Sequence, residues 1–255
     1  SEPNIKDEDI DALMVEAYKE GLRELENGYG VLAAKKFNEA EILYPQSVWA
    51  PRSSLMAAYS YYSGDYYQNS TEELIRFLEI YPNHIRTDYA RYLLAINYYE
   101  QIINEKKDLG PILDAKKNFT IVMENFPNSD FALDAEYKLN LIEEMLASKE
   151  MYLAKYYIEK EKWIPAINRY KEILKNYNTT IYVEEALHRL VEVHYKLGLK
   201  DEAKKYASML GYNYKSSEWY EKSYKIFNKD YVNETIKKKK KNKKTTLEKI
   251  KSLLN

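Results

Sequence analysis

The stretch Ala154–Asn178, AKYYIEKEKWIPAINRYKEILKNYN, decides the fold class of this chain. After a short turn, Ala166, Tyr170 and Ile173 recur at spacings of four and three residues, as they would on one face of a helix. Pro165 falls in the first turn of that helix, where its missing N–H costs no hydrogen bond. Neither helix of such a hairpin can bury its apolar stripe alone, so the stretch requires similar hairpins beside it.

Related copies of this hairpin recur along the chain. Each copy closes with an aromatic or aliphatic residue followed by a helix breaker, and the closing residues are 33 to 51 positions apart. This pattern is typical of the tetratricopeptide repeat (TPR), a helix pair of about 34 residues. The sequence therefore predicts an all-α TPR solenoid of about five helix pairs with a C-terminal capping helix. The predicted copies end at Tyr44-Pro45, Tyr81-Pro82, Phe126-Pro127, Tyr177-Asn178 and Leu210-Gly211.

The spacing of these copies also predicts how the chain is divided. The stretch from about Phe131 to Lys160 keeps one apolar side and contains no Gly or Pro, which predicts one long helix serving two repeats. The polar stretch Asn104–Gly110 predicts a loop inside the third repeat. The predicted segments are a flexible leader (1–8), TPRs 1–3 (9–127), TPRs 4–5 (128–213), a capping helix (214–232) and a lysine-rich flexible tail (233–255).

Composition excludes several classes of protein. The chain has 255 residues, and its seven glycines and seven prolines are too few for a turn-rich β protein. The lack of cysteine excludes disulfides, thiolate metal sites and cysteine nucleophiles. No apolar run approaches the roughly 18 residues of a membrane-spanning helix. Because the chain starts at Ser1 and not at Met, we expect that an upstream segment was removed.

The net charge of −1 conceals an uneven distribution. Residues 233–255 hold nine lysines and two glutamates, a net charge of +7, so the rest of the chain carries −8. Phosphate binding requires a basic folded surface, so we expect no nucleic-acid partner. The lysine run permits two interpretations, a solubilising tail or a contact with anionic lipid head groups.

The sequence contains no catalytic or metal-binding constellation. His188 and His194 are six positions apart on one predicted helix, whereas a helical zinc site prefers a spacing of four. Neither a glycine-rich phosphate loop nor a G-x-S-x-G motif occurs. Adjacent carboxylates such as Glu184 and Glu185 fit a solvated helix face. The sequence therefore predicts a protein that is not an enzyme and has no cofactor.

Tyrosine is unusually frequent, with 27 residues, and many of them occur in pairs. Adjacent residues on a helix point about 100° apart, so one ring of each pair faces inward as repeat core. The outward rings either line a concave groove suited to an extended peptide with aromatic side chains or pack between neighbouring repeats. The candidate groove residues are Tyr61, Tyr62, Tyr66, Tyr98 and Tyr99.

Longer stretches are more specific than the repeat pattern. They are RFLEIYPNHIRTDYARYLLAINYYEQI (Arg76–Ile102), FPNSDFALDA (Phe126–Ala135), KEMYLAKYYIEKEKWIPAINR (Lys149–Arg169), EALHRLVEVHYKLGLKDEA (Glu185–Ala203) and LGYNYKSSEWY (Leu210–Tyr220). Through them the chain resembles the BamD family, the outer-membrane-protein assembly lipoproteins of Gram-negative bacteria, in its alphaproteobacterial form. The resemblance implies five TPRs at the periplasmic face of the outer membrane, anchored in its inner leaflet by an acylated N-terminal Cys that this sequence lacks.

The resemblance also implies partners. Family members are scaffold and receptor components of the β-barrel assembly (BAM) complex, so we expect the C-terminal repeats to bind a periplasmic POTRA domain of the insertase BamA. The first three repeats would receive the C-terminal signal of unfolded outer-membrane β-barrel proteins, and other Bam lipoproteins are further candidate partners. The AINR motif places Asn168 and Arg169 in the BamA-binding surface, with Glu159 and Lys160 beside them. Arg169 suits a carboxylate contact, although it could instead pair with Glu172 on its own helix.

Two other functions stay open at this point. A periplasmic TPR adaptor for another envelope assembly process would share the repeat pattern. An enzyme with a hidden site would need titratable groups clustered on one face, and the sequence indicates no such cluster.

Overall fold

The structure is a computed structural model that describes residues 7–102 and 109–229. All regular secondary structure in these residues is α-helical. This confirms the predicted all-α helical-repeat fold. The tail 233–255 and most of the predicted loop Asn104–Gly110 lie outside the described residues. The helices are α1 (Asp7–Glu26), α2 (Gly30–Leu43), α3 (Ala50–Ser63), α4 (Tyr67–Ile80), α5 (Thr87–Glu100), α6 (Gly110–Asn125), α7 (Ala132–Glu159), α8 (Trp163–Asn176), α9 (Tyr182–Lys196), α10 (Lys200–Asn213) and α11 (Glu218–Phe227).

The helices form two compact units, residues 1–142 (unit 1) and 143–255 (unit 2), divided within α7. The predicted border between the two halves, at residue 127, lies before this division. The start of α7 belongs to unit 1 because Phe131 stacks on Tyr92 of α5, with ring centroids 4.9 Å apart. The hydroxyl of Tyr92 also donates a hydrogen bond to Asp134, at 2.6 Å. As predicted, α7 is one long helix without interruption.

The core of unit 1 repeats the sequence pattern. A small residue is buried in the second helix of each pair, and a large apolar residue four positions later is buried beneath it. This spacing puts both side chains on one helix face, so that each pair closes over its own layer of core. The buried small and large residues are Ala33 with Phe37, Ser70 with Leu74, and Ala115 with Phe119.

Glycine permits the closest approach between α2 and α3. A Cβ atom on Gly30 would lie 2.4 Å from the backbone oxygen of Ser60, a distance that no side chain tolerates. In α1, a Cβ atom on Gly21 would lie 2.9 Å from the ring of Phe37. The first repeat therefore depends on glycine where its helices meet their neighbours.

An ion pair between a buried carboxylate and a partly exposed arginine joins α2 to α4. The carboxylate of Glu41 is almost fully buried and accepts two hydrogen bonds from the guanidinium of Arg76, at 2.9 and 2.6 Å. The hydroxyl of Tyr81 donates a third hydrogen bond to the same carboxylate, at 2.8 Å. Burial and this hydrogen bond raise the pKa of Tyr81 to about 12. These contacts tie adjacent repeats together, since Glu41 lies on α2, Arg76 on α4 and Tyr81 directly after α4.

The hairpin that decides the fold lies in unit 2 and packs as predicted. Ala154, Ala166 and Ile173 are fully buried in one core cluster, together with Tyr170. Pro165 lies in the first turn of α8, where no intrahelical hydrogen bond is lost. Helix α11, the predicted capping helix, also packs on this core, through side chains on one of its faces. They are Trp219, Tyr220, Tyr224 and Phe227.

The prediction that the last copy ends at Leu210-Gly211 is wrong. Helix α10 continues to Asn213 and ends at Tyr214, eleven positions after the buried Ala203. This is the same spacing that separates Ala33 from Tyr44 in the first copy. Gly211 is inside the helix because of packing, since a Cβ atom there would lie 2.7 Å from the ring of Tyr220.

Candidate protein-binding surfaces

Unit 1 contains an aromatic cavity of about 620 Å³, here called the unit-1 groove. One face of α3, the turn before α5 and the residue before α7 form its walls. Val48 and Ile85, at corresponding positions in two inter-helix turns, stand at its rim, and each is 87% exposed. Exposed aliphatic side chains beside a cavity favour contact with another molecule. The lining residues are Val48, Arg52, Leu55, Met56, Tyr59, His84, Ile85, Arg86, Tyr89 and Phe131.

The unit-1 groove combines aromatic rings with positive charge. Tyr59, Tyr89 and Phe131 supply three rings, and burial raises the pKa of Tyr89 to about 12. Arg52 and Arg86 are exposed residues, and neither forms an ion pair within residues 7–102 and 109–229. The guanidinium of Arg52 lies 5.1 Å from the ring centroid of Trp49, a cation–π contact that leaves its charge in place. This arrangement suits a peptide that carries an aromatic side chain next to a carboxylate.

The five tyrosines predicted to line a groove do not line the unit-1 groove. Tyr61 and Tyr62 are half-buried and pack against separate core clusters of unit 1. Tyr98 packs against the same cluster as Tyr62, while Tyr99 lies edge-on to Phe119 with ring centroids 6.3 Å apart. Tyr66 is 50% exposed. Their role in binding remains a prediction.

Sequence reasoning missed Tyr59, Tyr89 and Phe131 for a physical reason. The three rings come from three elements: Tyr89 follows Tyr59 by 30 positions, and Phe131 follows Tyr89 by 42. None of them belongs to a pair of adjacent tyrosines such as Tyr61 and Tyr62. A signal existed, because Val48 and Ile85 occupy equivalent positions four residues after the closing tyrosines Tyr44 and Tyr81. An aliphatic residue repeated in polar turns indicates a shared exposed edge.

Unit 2 contains a second cavity, of about 590 Å³, here called the unit-2 groove. The second half of α7, the start of α8 and one face of α9 form its walls. Its lining residues are Met151, Tyr152, Lys155, Ile158, Glu159, Trp163, Tyr170, Tyr182, Glu185, Arg189, Glu192, Val193 and Lys196.

Three of the six charged side chains that line the unit-2 groove form ion pairs with one another. Arg189 donates to Glu185 at 3.0 Å and to Glu192 at 2.8 Å. Lys196 places its ammonium 4.3 Å from the centroid of Trp163, a cation–π contact. The groove therefore presents a mixed surface of aromatic rings and ion pairs, unlike the cationic unit-1 groove.

The four predicted BamA-binding residues lie on one helix pair, α7 and α8. Glu159 lines the unit-2 groove at the end of α7, and Lys160 is exposed in the turn that follows. Asn168 is exposed on α8. Arg169 is half-exposed and donates one hydrogen bond, at 3.2 Å, to Glu150 of α7. The alternative partner Glu172 instead accepts a hydrogen bond from the side chain of Asn176.

The buried histidines have structural partners. His188 forms a hydrogen bond with Ser223 of α11, at 2.8 Å, and His194 with the backbone oxygen of Leu190, at 2.7 Å. No group of three or more His, Cys, Asp or Glu side chains suited to a metal ion occurs among residues 7–102 and 109–229. Within the same ranges, none of the helices has the length and apolar character needed to span a membrane.

Comparison with known proteins identifies the family of the chain. Residues 10–210 match the model of a family described as "YfiO: Outer membrane lipoprotein". The outer membrane protein assembly factor BamD of Rickettsia prowazekii is 38% identical over 225 residues, which cover 88% of this chain and 89% of that protein. BamD of Caulobacter vibrioides is 35% identical over 211 residues, covering 83% and 69%.

Among solved structures, TPR-like repeats of a Podosopora anserina kinesin light chain align with 77% of this chain and 92% of that one. The identity is 13% and the TM-score 0.39, so this likeness carries no argument about function. The family match and the two relatives agree with the resemblance expected from the sequence. The chain therefore belongs to the BamD (YfiO) family of outer membrane lipoproteins.

Proposed function

We propose that this chain is a scaffold and receptor of the BAM complex, which assembles β-barrel proteins in the outer membrane. Membership of a family whose relatives are named outer membrane protein assembly factors carries this proposal. The chain acts by holding partners without making or breaking covalent bonds. Two grooves lined by aromatic and charged side chains support a binding role.

The receptor surface in this proposal is the unit-1 groove. An unfolded β-barrel protein that ends in an aromatic residue offers a ring and a terminal carboxylate side by side. Tyr59, Tyr89 and Phe131 would pack on the ring, where edge and face contacts between aromatic groups are favourable. The exposed residues Arg52 and Arg86 would hold the carboxylate through charge-assisted hydrogen bonds.

The docking surface for a POTRA domain of BamA is the α7–α8 hairpin. Arg169 donates a single hydrogen bond to Glu150, and a guanidinium has five N–H donors, so it retains donors for a partner carboxylate. Asn168 and Lys160 are exposed nearby in sequence and add polar contacts. Glu159 connects this surface with the unit-2 groove.

The same proposal assigns a location. The chain works at the periplasmic face of the outer membrane, held there by an N-terminal lipid anchor. Other Bam lipoproteins are candidate partners, and nucleic acid is not, because residues 1–214 carry a net charge of −9.

Titration of a purified array of BamA POTRA domains into the full chain tests the docking surface. Arg169→Glu places like charge against the partner carboxylate, so we expect at least about a tenfold loss of affinity. Lys171→Glu, an equal charge change at an exposed position of α8, should leave the affinity within about twofold. Failure of the unaltered chain to bind the array, together with recovery of other envelope proteins, would favour the adaptor for another assembly process.

A further inference from the structure

Arg52 lies in the first turn of helix α3, where a positive charge is unfavourable. The backbone N–H groups at the start of a helix carry partial positive charge, so acidic residues are usual there. Helix α9 follows this rule with Glu184 and Glu185, whereas the first turn of α3 contains no acidic residue. A carboxylate bound beside Arg52 would offset the charge of the guanidinium and that of the helix start.

Two aromatic rings hold the guanidinium of Arg52 in place. Its central carbon lies over the ring of Trp49, 5.1 Å from the centroid, and over the ring of Tyr18, 6.0 Å from the centroid. Both distances are typical of cation–π contacts. Because the guanidinium is planar, contact through its face leaves the N–H groups along its edge able to donate to a carboxylate.

The rings that hold Arg52 are fixed by the core of unit 1. Trp49 lies edge-on to Tyr18, with ring centroids 5.3 Å apart, and Tyr18 lies edge-on to Phe37, at 5.1 Å. Phe37 is fully buried, and Tyr18 is 9% exposed. Trp49 is 37% exposed, so its ring connects the buried core with an exposed arginine. Arg52 therefore rests on a continuous series of packed rings.

Arg86, the second arginine of the unit-1 groove, has no such support. Its side chain forms no ion pair and no cation–π contact among residues 7–102 and 109–229. Ordering a long side chain during binding costs free energy, and the cost is smaller where the side chain is already held. Arg52 is therefore the arginine that is positioned for a carboxylate before the ligand arrives.

We propose that Trp49 is a positioning residue of the unit-1 groove, one that fixes Arg52 so that the groove prefers a free terminal carboxylate to an aromatic residue inside a chain. Trp49 and Tyr18 do not line the groove, so they act through Arg52 and not by contact with the ligand. This inference rests on the proposed receptor function. It narrows the substrate to a polypeptide whose C-terminal residue is free and exposed.

Fluorescence anisotropy of the full chain with two labelled peptides tests this assignment. Both peptides carry the Phe-ended C-terminal sequence of an outer-membrane β-barrel protein, and they differ only in a free carboxylate or a carboxamide at the end. We expect the unaltered chain to bind the carboxylate peptide at least about tenfold more tightly. Trp49→Leu should reduce this ratio at least about threefold, because Arg52 then has to be ordered during binding.

Rescue and coupling distinguish positioning from a general structural role. Trp49→Phe keeps a ring beside the guanidinium and should keep the ratio within about twofold of that of the unaltered chain. In an Arg52→Met background, Trp49→Leu should leave the ratio unchanged, because a positioning residue has no effect without the residue that it positions. Arg52→Lys keeps the charge but lacks the planar fork, so it should reduce the ratio at least about threefold.

Tyr29→Leu is the matched control for Trp49→Leu. Tyr29 is an exposed aromatic residue directly before α2, as Trp49 is directly before α3. Because no cation–π contact joins Tyr29 to Arg52, the ratio should stay within about twofold.

The inference would be overturned by equal affinity of the unaltered chain for both peptides, or by an unchanged ratio in Trp49→Leu shown by circular dichroism to be folded. An equal reduction by Trp49→Leu in the Arg52→Met background would also overturn it. If Trp49→Leu does not fold, an unchanged ratio in Arg52→Lys has the same consequence. The proposed receptor function fails separately, through a lack of binding of either peptide to the unaltered chain.

Discussion

At the scale of single residues, the carboxylate of Glu41 shows how charge is used inside unit 1. It accepts three hydrogen bonds, two from Arg76 and one from Tyr81. A buried carboxylate that loses its cation is strongly destabilising. Arg76→Met should therefore lower the free energy of unfolding by about 3 kcal/mol, measured by urea denaturation followed by circular dichroism.

Two comparisons make this prediction specific. Arg23 forms exposed ion pairs, so Arg23→Met should cost less than about 1 kcal/mol. The double variant Glu41→Leu/Arg76→Met removes both charges and should recover much of the loss. A loss below about 1 kcal/mol in Arg76→Met alone would contradict the structural role of the pair.

A second residue-scale prediction concerns acid stability in unit 2. Burial alone would raise the pKa of Glu192, but hydrogen bonds from His188 and Arg189 lower it from 4.5 to about 2. The ionised carboxylate therefore stabilises the fold above about pH 4.5, and this contribution is lost as the pH falls toward 2. Because the side chain is partly exposed, the contribution is about 1 kcal/mol.

Urea denaturation at pH 5 and at pH 3 measures this contribution. The unaltered chain should lose about 0.5 kcal/mol more stability between pH 5 and pH 3 than Glu192→Gln does, because part of the contribution is still present one unit above the folded pKa. Glu202→Gln, at an exposed position of α10, should behave like the unaltered chain. Identical losses in the unaltered chain and in Glu192→Gln would show that the carboxylate is not stabilised by its partners.

At the scale of helices, the contact between α2 and α3 depends on a missing side chain. The Cβ atom of Gly30→Ala would lie 2.4 Å from the backbone oxygen of Ser60, so one helix has to move. Overpacking of this kind costs about 2 kcal/mol. We expect a lower thermal midpoint for Gly30→Ala, measured by circular dichroism.

Gly64→Ala is the matched control for Gly30→Ala. Its Cβ atom would lie 3.1 Å from the ring of Tyr66, an exposed side chain that can turn away. The change in the thermal midpoint should therefore be small. If Gly30→Ala were no more harmful than Gly64→Ala, the two helices would not be held at the distance described.

Helices and their pairing could be predicted from the sequence because both follow from local periodicity. The burial of Ala166 and Ile173 and the uninterrupted α7 agree with the expected pattern. The end of α10 was predicted wrongly at Gly211 because glycine often ends helices. Its position inside α10 is explained by the packing of Tyr220 from the next helix. The unit-1 groove could not be predicted, since rings such as Tyr59 and Phe131 meet only after the helices have packed.

At the scale of the whole molecule, the chain presents two grooves of similar size and different charge. The unit-1 groove has two exposed arginines without carboxylate partners among residues 7–102 and 109–229, whereas the unit-2 groove pairs Arg189 with two glutamates. A scaffold needs surfaces that do not compete, and a difference in chemistry is one way for two surfaces to select different partners. In the proposed function, unit 1 receives substrate while unit 2 holds BamA.

The most direct test is the affinity of the full chain for a fluorescent peptide that carries the C-terminal, Phe-ended sequence of an outer-membrane β-barrel protein. Fluorescence anisotropy is measured with and without a saturating POTRA array of BamA. We predict the same Kd in both cases, a loss of at least about tenfold in Arg86→Glu, and no change in Arg169→Glu. Displacement of the peptide by the array, or no binding of the peptide to the chain, would contradict the account.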